Sequence, residues 1–131
     1  IKITNNEFKN MQGPFYNGSA VQLSKITTDT IGDPDVIQTR INDNKVENIP
    51  YESSPNDIIN MGHCYGTFDN PIEIIGNKIR GGGPKISAAG TTVADQNPSS
   101  LIAKAAEYFL IKDNVLVNSG SSGILTFFLL S

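Results

Sequence analysis

Along this chain apolar residues recur at fixed distances from an asparagine. Ile1–Phe8, Thr39–Val46, Ile72–Ile79 and Phe109–Leu116 share one pattern: a pair spaced by two, an asparagine three residues on, then an apolar residue two further. In register the columns read Ile1/Thr39/Ile72/Phe109, Ile3/Ile41/Ile74/Ile111, Asn6/Asn44/Asn77/Asn114 and Phe8/Val46/Ile79/Leu116. A spacing of two turns one face of a strand inward. Asparagine suits the turn that follows, because it tolerates left-handed backbone and its amide bonds nearby main chain. The residue after it opens a second short strand. A recurrent unit with a polar residue fixed inside it predicts a stacked, solenoidal architecture, in which the four amides can bond along the stack.

A third strand is legible further along each copy, at Ala20–Leu23, Ile58–Met61, Lys85–Ala88 and Gly123–Thr126, each after a stretch rich in Gly, Ser, Pro or Asn. Three short strands per turn describe a parallel β-helix. Successive ladder asparagines lie 38, 33 and 37 residues apart. That exceeds what three short strands need, so the surplus is expected to leave the coil as loops. The competing reading is a leucine-rich repeat, whose core pattern is similar. Its units are shorter and more regular, about 20–29 residues, its ladder positions favour Leu over the Ile and Val found here, and it follows the asparagine with helix.

The segments Ile3–Asn10, Ile41–Asn48, Ile74–Gly81 and Ile111–Asn118, with Gly-rich turns and the Gly123-Ile124-Leu125 strand, resemble rungs of the pectin-lyase-like right-handed parallel β-helices. That superfamily includes pectate lyases, polygalacturonases and bacteriophage tailspikes. The resemblance implies an all-β, right-handed parallel β-helix of about four rungs with loop insertions, spanning residues 1–131 as a single segment. It covers the repeating strands and not the long loops. The superfamily's catalytic motifs are not matched: there is no adjacent Asp-Asp pair, Gly62-His63 is followed by Cys64 rather than glycine, and no calcium-binding Asp cluster is seen.

Composition narrows the partners. Hydrophobic residues make up 38% and charged residues 18%, which suits an ordered fold. A net charge of −3 gives no reason to expect nucleic acid or an anionic membrane surface. No apolar run approaches the length of a membrane span. The single Cys64 cannot form an internal disulfide and is expected to be a buried or loop thiol. Ile1 falls inside a rung, the chain finishes in or just after a strand at Ile124–Leu130, and no capping helix is legible at either end. These ends lead us to expect a piece of a longer β-helix, or a segment capped by partner chains. Residues of the last strand are apolar on both faces, as in a strand buried on both sides. A neighbouring subunit would supply the second surface, and the trimeric habit of tailspikes makes a homotrimer the expected assembly.

Three excursions, Ser24–Ile37, Gly62–Pro71 and Ala89–Glu107, follow the third strands and are expected to emerge along one edge, where scaffold loops tend to carry binding and catalysis. The first holds Asp29, Asp33 and Asp35, the second His63, Cys64, Tyr65, Phe68 and Asp69, and the third Asp95. The alanine-rich stretch from Asn97 to Glu107 has helix-start chemistry and predicts a short helix, and Gly81-Gly82-Gly83 predicts a tight bend. Acids beside aromatics suit carbohydrate: flat rings stack on sugars and carboxylates bond hydroxyls. Carboxyls one rung apart would be near the ~5 Å of retaining glycosidases, and two rungs apart near the upper end of the ~6.5–9.5 Å inverting range. The candidate catalytic residues are therefore Asp69, Asp33 and Asp95, paired as Asp69 with Asp33 or Asp35, or Asp69 with Asp95. Tyr65, Phe68, His63 and Asp35 are candidate binding residues. Turn acids are also ordinary in Asp33-Pro34 and Asp69-Asn70-Pro71, and a lone histidine beside a cysteine makes no zinc spacing. Neither a metal nor a cofactor is expected.

Three functions fit. The first is a phage tailspike or appendage segment, on the virion surface or otherwise extracellular, that binds host cell-surface polysaccharide and, if an enzyme, depolymerises it. The second is a secreted bacterial polysaccharide lyase or glycoside hydrolase. The third is a non-catalytic structural or adhesive stalk.

Overall fold

The computed structural model describes residues 1–11, 19–27, 39–49, 52–53, 58–82, 99–104, 107–119 and 122–127, of which 82, 99–104, 118–119 and 122–127 are described as backbone. All the regular elements among them are strands. They are β1 (Lys2–Thr4), β2 (Glu7–Lys9), β3 (Val21–Ser24), β4 (Arg40–Asn42), β5 (Lys45–Glu47) and β6 (Ile59–Gly62), then β7 (Ile72–Ile75), β8 (Lys78–Gly82), β9 (Ser99–Lys104), β10 (Phe109–Lys112), β11 (Val115–Ser119) and β12 (Ser122–Phe127). Each strand pairs in parallel with the strand three places on, giving three four-stranded sheets ordered β1-β4-β7-β10, β2-β5-β8-β11 and β3-β6-β9-β12. The chain thus visits the sheets in turn and advances one layer per visit. This connectivity is compatible with a solenoid.

Register reproduces the sequence columns. Ile3 pairs with Ile41, Ile41 with Ile74 and Ile74 with Ile111; Phe8, Val46, Ile79 and Leu116 pair likewise. In the third sheet Val21, Ile59, Leu101 and Ile124 align. The inner columns form the core: Ile41 and Ile74 are wholly buried, with Val46, Ile59, Met61, Ile72 and Ile79 packed beside them. Each such aliphatic side chain withdrawn from water contributes about 1.5–3 kcal/mol.

Between the first two sheets the asparagines stack. Asn6 Nδ2 donates to Asn44 Oδ1 at 3.0 Å, Asn44 Nδ2 to Asn77 Oδ1 at 2.9 Å and Asn77 Nδ2 to Asn114 Oδ1 at 2.9 Å. The same oxygens accept the backbone N–H of Asn6, Asn44 and Asn77. Each amide also reaches the preceding layer, Asn44 to Ile3 O, Asn77 to Ile41 O and Asn114 to Ile74 O. The residue before each asparagine, Asn5, Asp43, Gly76 or Asp113, takes positive φ, from 55° to 69°. These are the residue types that tolerate left-handed backbone.

A second polar column marks the corner after β2, β5 and β8. Met11 N donates to Asn48 Oδ1 at 3.0 Å, Ile49 N to Asn10 Oδ1 at 2.9 Å, and Asn48 Nδ2 to Gly81 O at 2.8 Å. Gly81, at φ +78°, lies where a Cβ would come 2.3 Å from Asn48 O. The glycine run therefore turns the chain at Gly81 without ending β8, whose pairing continues through Gly82.

Two expectations are corrected here. Ser99–Lys104, inside the stretch read as a helix, is strand β9. Alanine's advantage over most residues is only a few tenths of a kcal/mol per position, and pairing on both sides with β6 and β12 outweighs it. β9 is also the third strand of the third layer, a role read at Lys85–Ala88, which lies outside the described residues. The long connection of that layer therefore runs between β8 and β9, and only residues 105–108 join β9 to β10. The three excursions do not leave from one corner.

Outside the sheets, three ion pairs join neighbouring layers, although Lys2 also pairs in register with Arg40 and Lys45 with Lys78. Glu7 pairs with Lys45 at 3.0 Å, Glu73 with Arg40 at 3.2 Å and Glu47 with Arg80 at 3.6 Å. The Lys45 hydrogen bond, helped by Lys9, holds the Glu7 carboxyl below the usual range. Such exposed pairs are worth little individually. In the fourth layer the outward positions become Leu110, Val115 and Val117, all exposed.

Two stability predictions follow from the corners. Asn77→Ala leaves the Asn44 N–H without its buried acceptor and should cost about 2–4 kcal/mol in urea unfolding, against under about 1 kcal/mol for Asn6→Ala at the exposed end. Gly81→Ala, which meets backbone, should cost about 2 kcal/mol or more, whereas Gly76→Asn, matching Asn5 in its column, should stay within about 1 kcal/mol. Equal losses within either pair would contradict this account of the corners.

Candidate functional site

The second excursion is the one that the structure describes in full. β6 ends at Gly62, and His63 turns the corner at φ 53°, exposed, one layer along from Lys25 at φ 57°. Cys64 then points inward and is wholly buried; its thiol approaches Gly62 O at 3.4 Å and Leu23 O at 3.7 Å. Burial pushes this thiol above its ordinary pKa, partly offset by the main chain of Ile26 and Lys25. It is a core residue and not a nucleophile.

Tyr65 returns to the stack as a one-residue bridge between Thr27 and Glu107. Gly66 donates its N–H to Glu107 O at 2.9 Å and sits under the next layer: a Cβ there would lie 2.4 Å from Tyr108 O and 3.0 Å from Ile72 N. Only glycine fits beneath that crossing. What remains of the excursion is a four-residue turn, Thr67–Asn70. Thr67 N donates to Asn70 O at 3.1 Å, Asn70 N to Thr67 O at 3.3 Å, and Asn70 N also to Thr67 Oγ1 at 3.0 Å. Double closure at the base fixes the tip, which presents Phe68, 84% exposed, and the exposed Asp69.

Sequence reasoning named Tyr65, Phe68, His63 and Asp69, and the structure places all four on this connection. It separates their positions. Phe68 and Asp69 share the tip, Tyr65 is half-buried at the base, and His63 stands at the opposite end beside the corner of β6. Among the described residues no hydrogen bond or ion pair joins His63 to Asp69. Asp33, Asp35 and Asp95 lie outside the described residues; in chain order residue 95 falls between β8 and β9. No group of three His, Cys, Asp or Glu side chains among the described residues could hold a metal ion.

Tyr108 was missed by the sequence reading. It holds φ 53°, unusual for a bulky residue, and is 52% exposed, while its carbonyl accepts the Ile72 N–H at 3.0 Å, directly over Gly66. The signal was present: Tyr108 precedes the first ladder column of its copy as Pro71 precedes Ile72. Phe68 at the tip and Tyr108 in the next layer are thus both exposed aromatics. Flat apolar faces beside a carboxylate can hold a ligand that is itself amphipathic, with apolar faces and hydroxyl edges.

No family model, curated protein or solved structure matches the chain.

The Cys64 assignment predicts thiol chemistry. An aromatic disulfide reagent should modify the native chain on the order of a hundredfold more slowly than the urea-unfolded chain. Equal rates would place the sulfur at the surface.

Proposed function

We propose that this chain is a right-handed parallel β-helix segment of a phage tailspike or appendage, displayed on the virion surface or otherwise outside the cell, and that it binds host cell-surface polysaccharide. The observation that carries the reading is the locked Thr67–Asn70 turn, which holds the Phe68 ring in solvent beside the Asp69 carboxylate on a stacked parallel scaffold. A ring carried on a closed turn has less backbone to order when a sugar stacks on it, and the carboxylate can accept hydroxyl hydrogen bonds from the same saccharide. Supporting the oligomer, outward charge gives way to Leu110, Val115 and Val117 in the fourth layer. In this reading those residues meet neighbouring copies side by side in a homotrimer.

Phe68 and Asp69 support binding by themselves, whereas cleavage needs a second carboxyl ~5 Å or ~6.5–9.5 Å from Asp69. Glycosidic hydrolysis by two carboxyls would need one of Asp33, Asp35 or Asp95 to complete the pair.

A panel of capsular and wall glycans tests both parts. Phe68→Ala should weaken binding about three- to tenfold, the scale of an aromatic stacking contact of ~0.5–1.5 kcal/mol, with an unchanged unfolding curve. A reducing-end assay should show no product with the wild type. Product that vanishes in Asp69→Asn would make the chain a depolymerase. Binding untouched by Phe68→Ala, or absent across a panel that includes the host's glycan, would overturn the site.

A further inference from the structure

Both feet of the Phe68 turn stand against the next layer. Gly66 donates its N–H to Glu107 O at 2.9 Å, and Ile72 donates its own to Tyr108 O at 3.0 Å. Two successive carbonyls thus hold the two ends of the connection that carries Phe68 and Asp69. The approach is close, for a Cβ at Gly66 would clash with Tyr108 O. Phe68 is two residues further on, so its Cα stands at most ~7.6 Å from that of Gly66. Tyr108 makes its bond at φ 53°. Among the described residues five of the seven non-glycine positions with positive φ are Asn, Asp or His, namely Asn5, Asn10, Asp43, His63 and Asp113. These types meet left-handed geometry at least cost. The exceptions are Lys25 and Tyr108. Lys25 can carry its ammonium into water. Tyr108 instead sets an aromatic ring, 52% exposed, where the backbone favours a small residue.

The stack does not impose that geometry at this height. One layer down the corresponding residue is Pro71, since Ile72 pairs with Phe109, and a proline ring fixes φ near −65°. Backbone strain that the surroundings hold in place is characteristic of residues that touch ligands. The neighbouring side chains point the same way. Phe68 is followed by exposed Asp69, and Tyr108 is preceded by exposed Glu107, so each exposed ring has a carboxylate next to it in the chain. The stacking and the hydroxyl bonding open to the first pair are open to the second. We infer that Tyr108 is a second stacking platform of the Phe68 site, taking another sugar unit of the same polysaccharide, with the Glu107 carboxylate as an acceptor for its hydroxyls. The inference rests on the glycan reading of the Phe68 turn and extends it from one contact to two. Its ligand is therefore an oligosaccharide or longer chain rather than a single sugar.

Two variants isolate the ring. Tyr108→Phe keeps the flat face, whereas Tyr108→Leu keeps an apolar side chain and the left-handed cost but loses that face; urea unfolding checks that both fold. The ligands are the capsular and wall polysaccharides of the panel, and fragments of several sugar units cut from whichever of them binds. Tyr108→Phe should stay within about twofold of the wild-type affinity, and Tyr108→Leu should lose about three- to tenfold, the scale of one aromatic stacking contact. Proton NMR reads the contact itself. Adding the fragment should shift the Tyr108 ring resonances, identified by their absence from the Tyr108→Leu spectrum. Equal affinities of the Phe and Leu variants, or Tyr108 resonances that stay in place while Phe68→Ala weakens binding, would overturn the inference and leave the glycan reading standing. Absence of binding across a panel that includes the host's glycan would overturn both.

Discussion

Burial of a polar turn is the constraint that the rest of this structure answers to. A chain that reverses direction between two sheets must bring backbone N–H and C=O groups into the stack, where water cannot reach them. Asn44 and Asn77 solve this with one side chain each: the oxygen takes two hydrogens from the layer before, and the amide serves a carbonyl of that layer and the oxygen of the next. The solution works only if every layer supplies an asparagine at the same height. That fixes the register of the first two sheets, and with it the alignment of Ile41 over Ile74 and Val46 over Ile79. Packing of the aliphatic columns then adds the larger share of the stabilisation.

The same demand explains the backbone at the corners. Positive φ recurs at Asn5, Asp43, Gly76 and Asp113 because the turn into the ladder needs one left-handed residue per layer. Asparagine, aspartate and glycine interchange there since each tolerates that geometry. At Gly81 and Gly66 the requirement is different. Neighbouring backbone passes too close for any Cβ, so these corners are narrower in what they accept.

Much of the fold was legible in the sequence because its signals are columnar. Ile3/Ile41/Ile74/Ile111 and the four asparagines could be aligned by eye, and the structure pairs them as aligned. The second polar column, with Asn10 and Asn48, could have been found the same way, since the copies aligned at Asn6 also align there. β9 was not legible: Leu101, Ala103 and Lys104 carry helical preference, and only the strands on either side decide otherwise. That misreading also placed the third long connection after the third strand of its layer rather than before it. At the candidate site, the residue types of Phe68 and Asp69 and their turn were readable, but the crossing of Tyr108 over Gly66 joins residues 42 apart in the chain and was not.

Rigidity is what links the ladder to the proposed use of the Phe68 turn, for a ligand-facing ring is only as fixed as the layers beneath it. Amide hydrogen exchange measures this most directly. If the interlayer bonds hold the molecule together, the backbone N–H groups of Asn44 and Asn77 exchange only through global unfolding, with the same free energy and denaturant dependence as Ile41 and Ile74. Exchange of Asn44 and Asn77 at the rates of exposed turns, while Ile41 and Ile74 stay protected, would contradict the account.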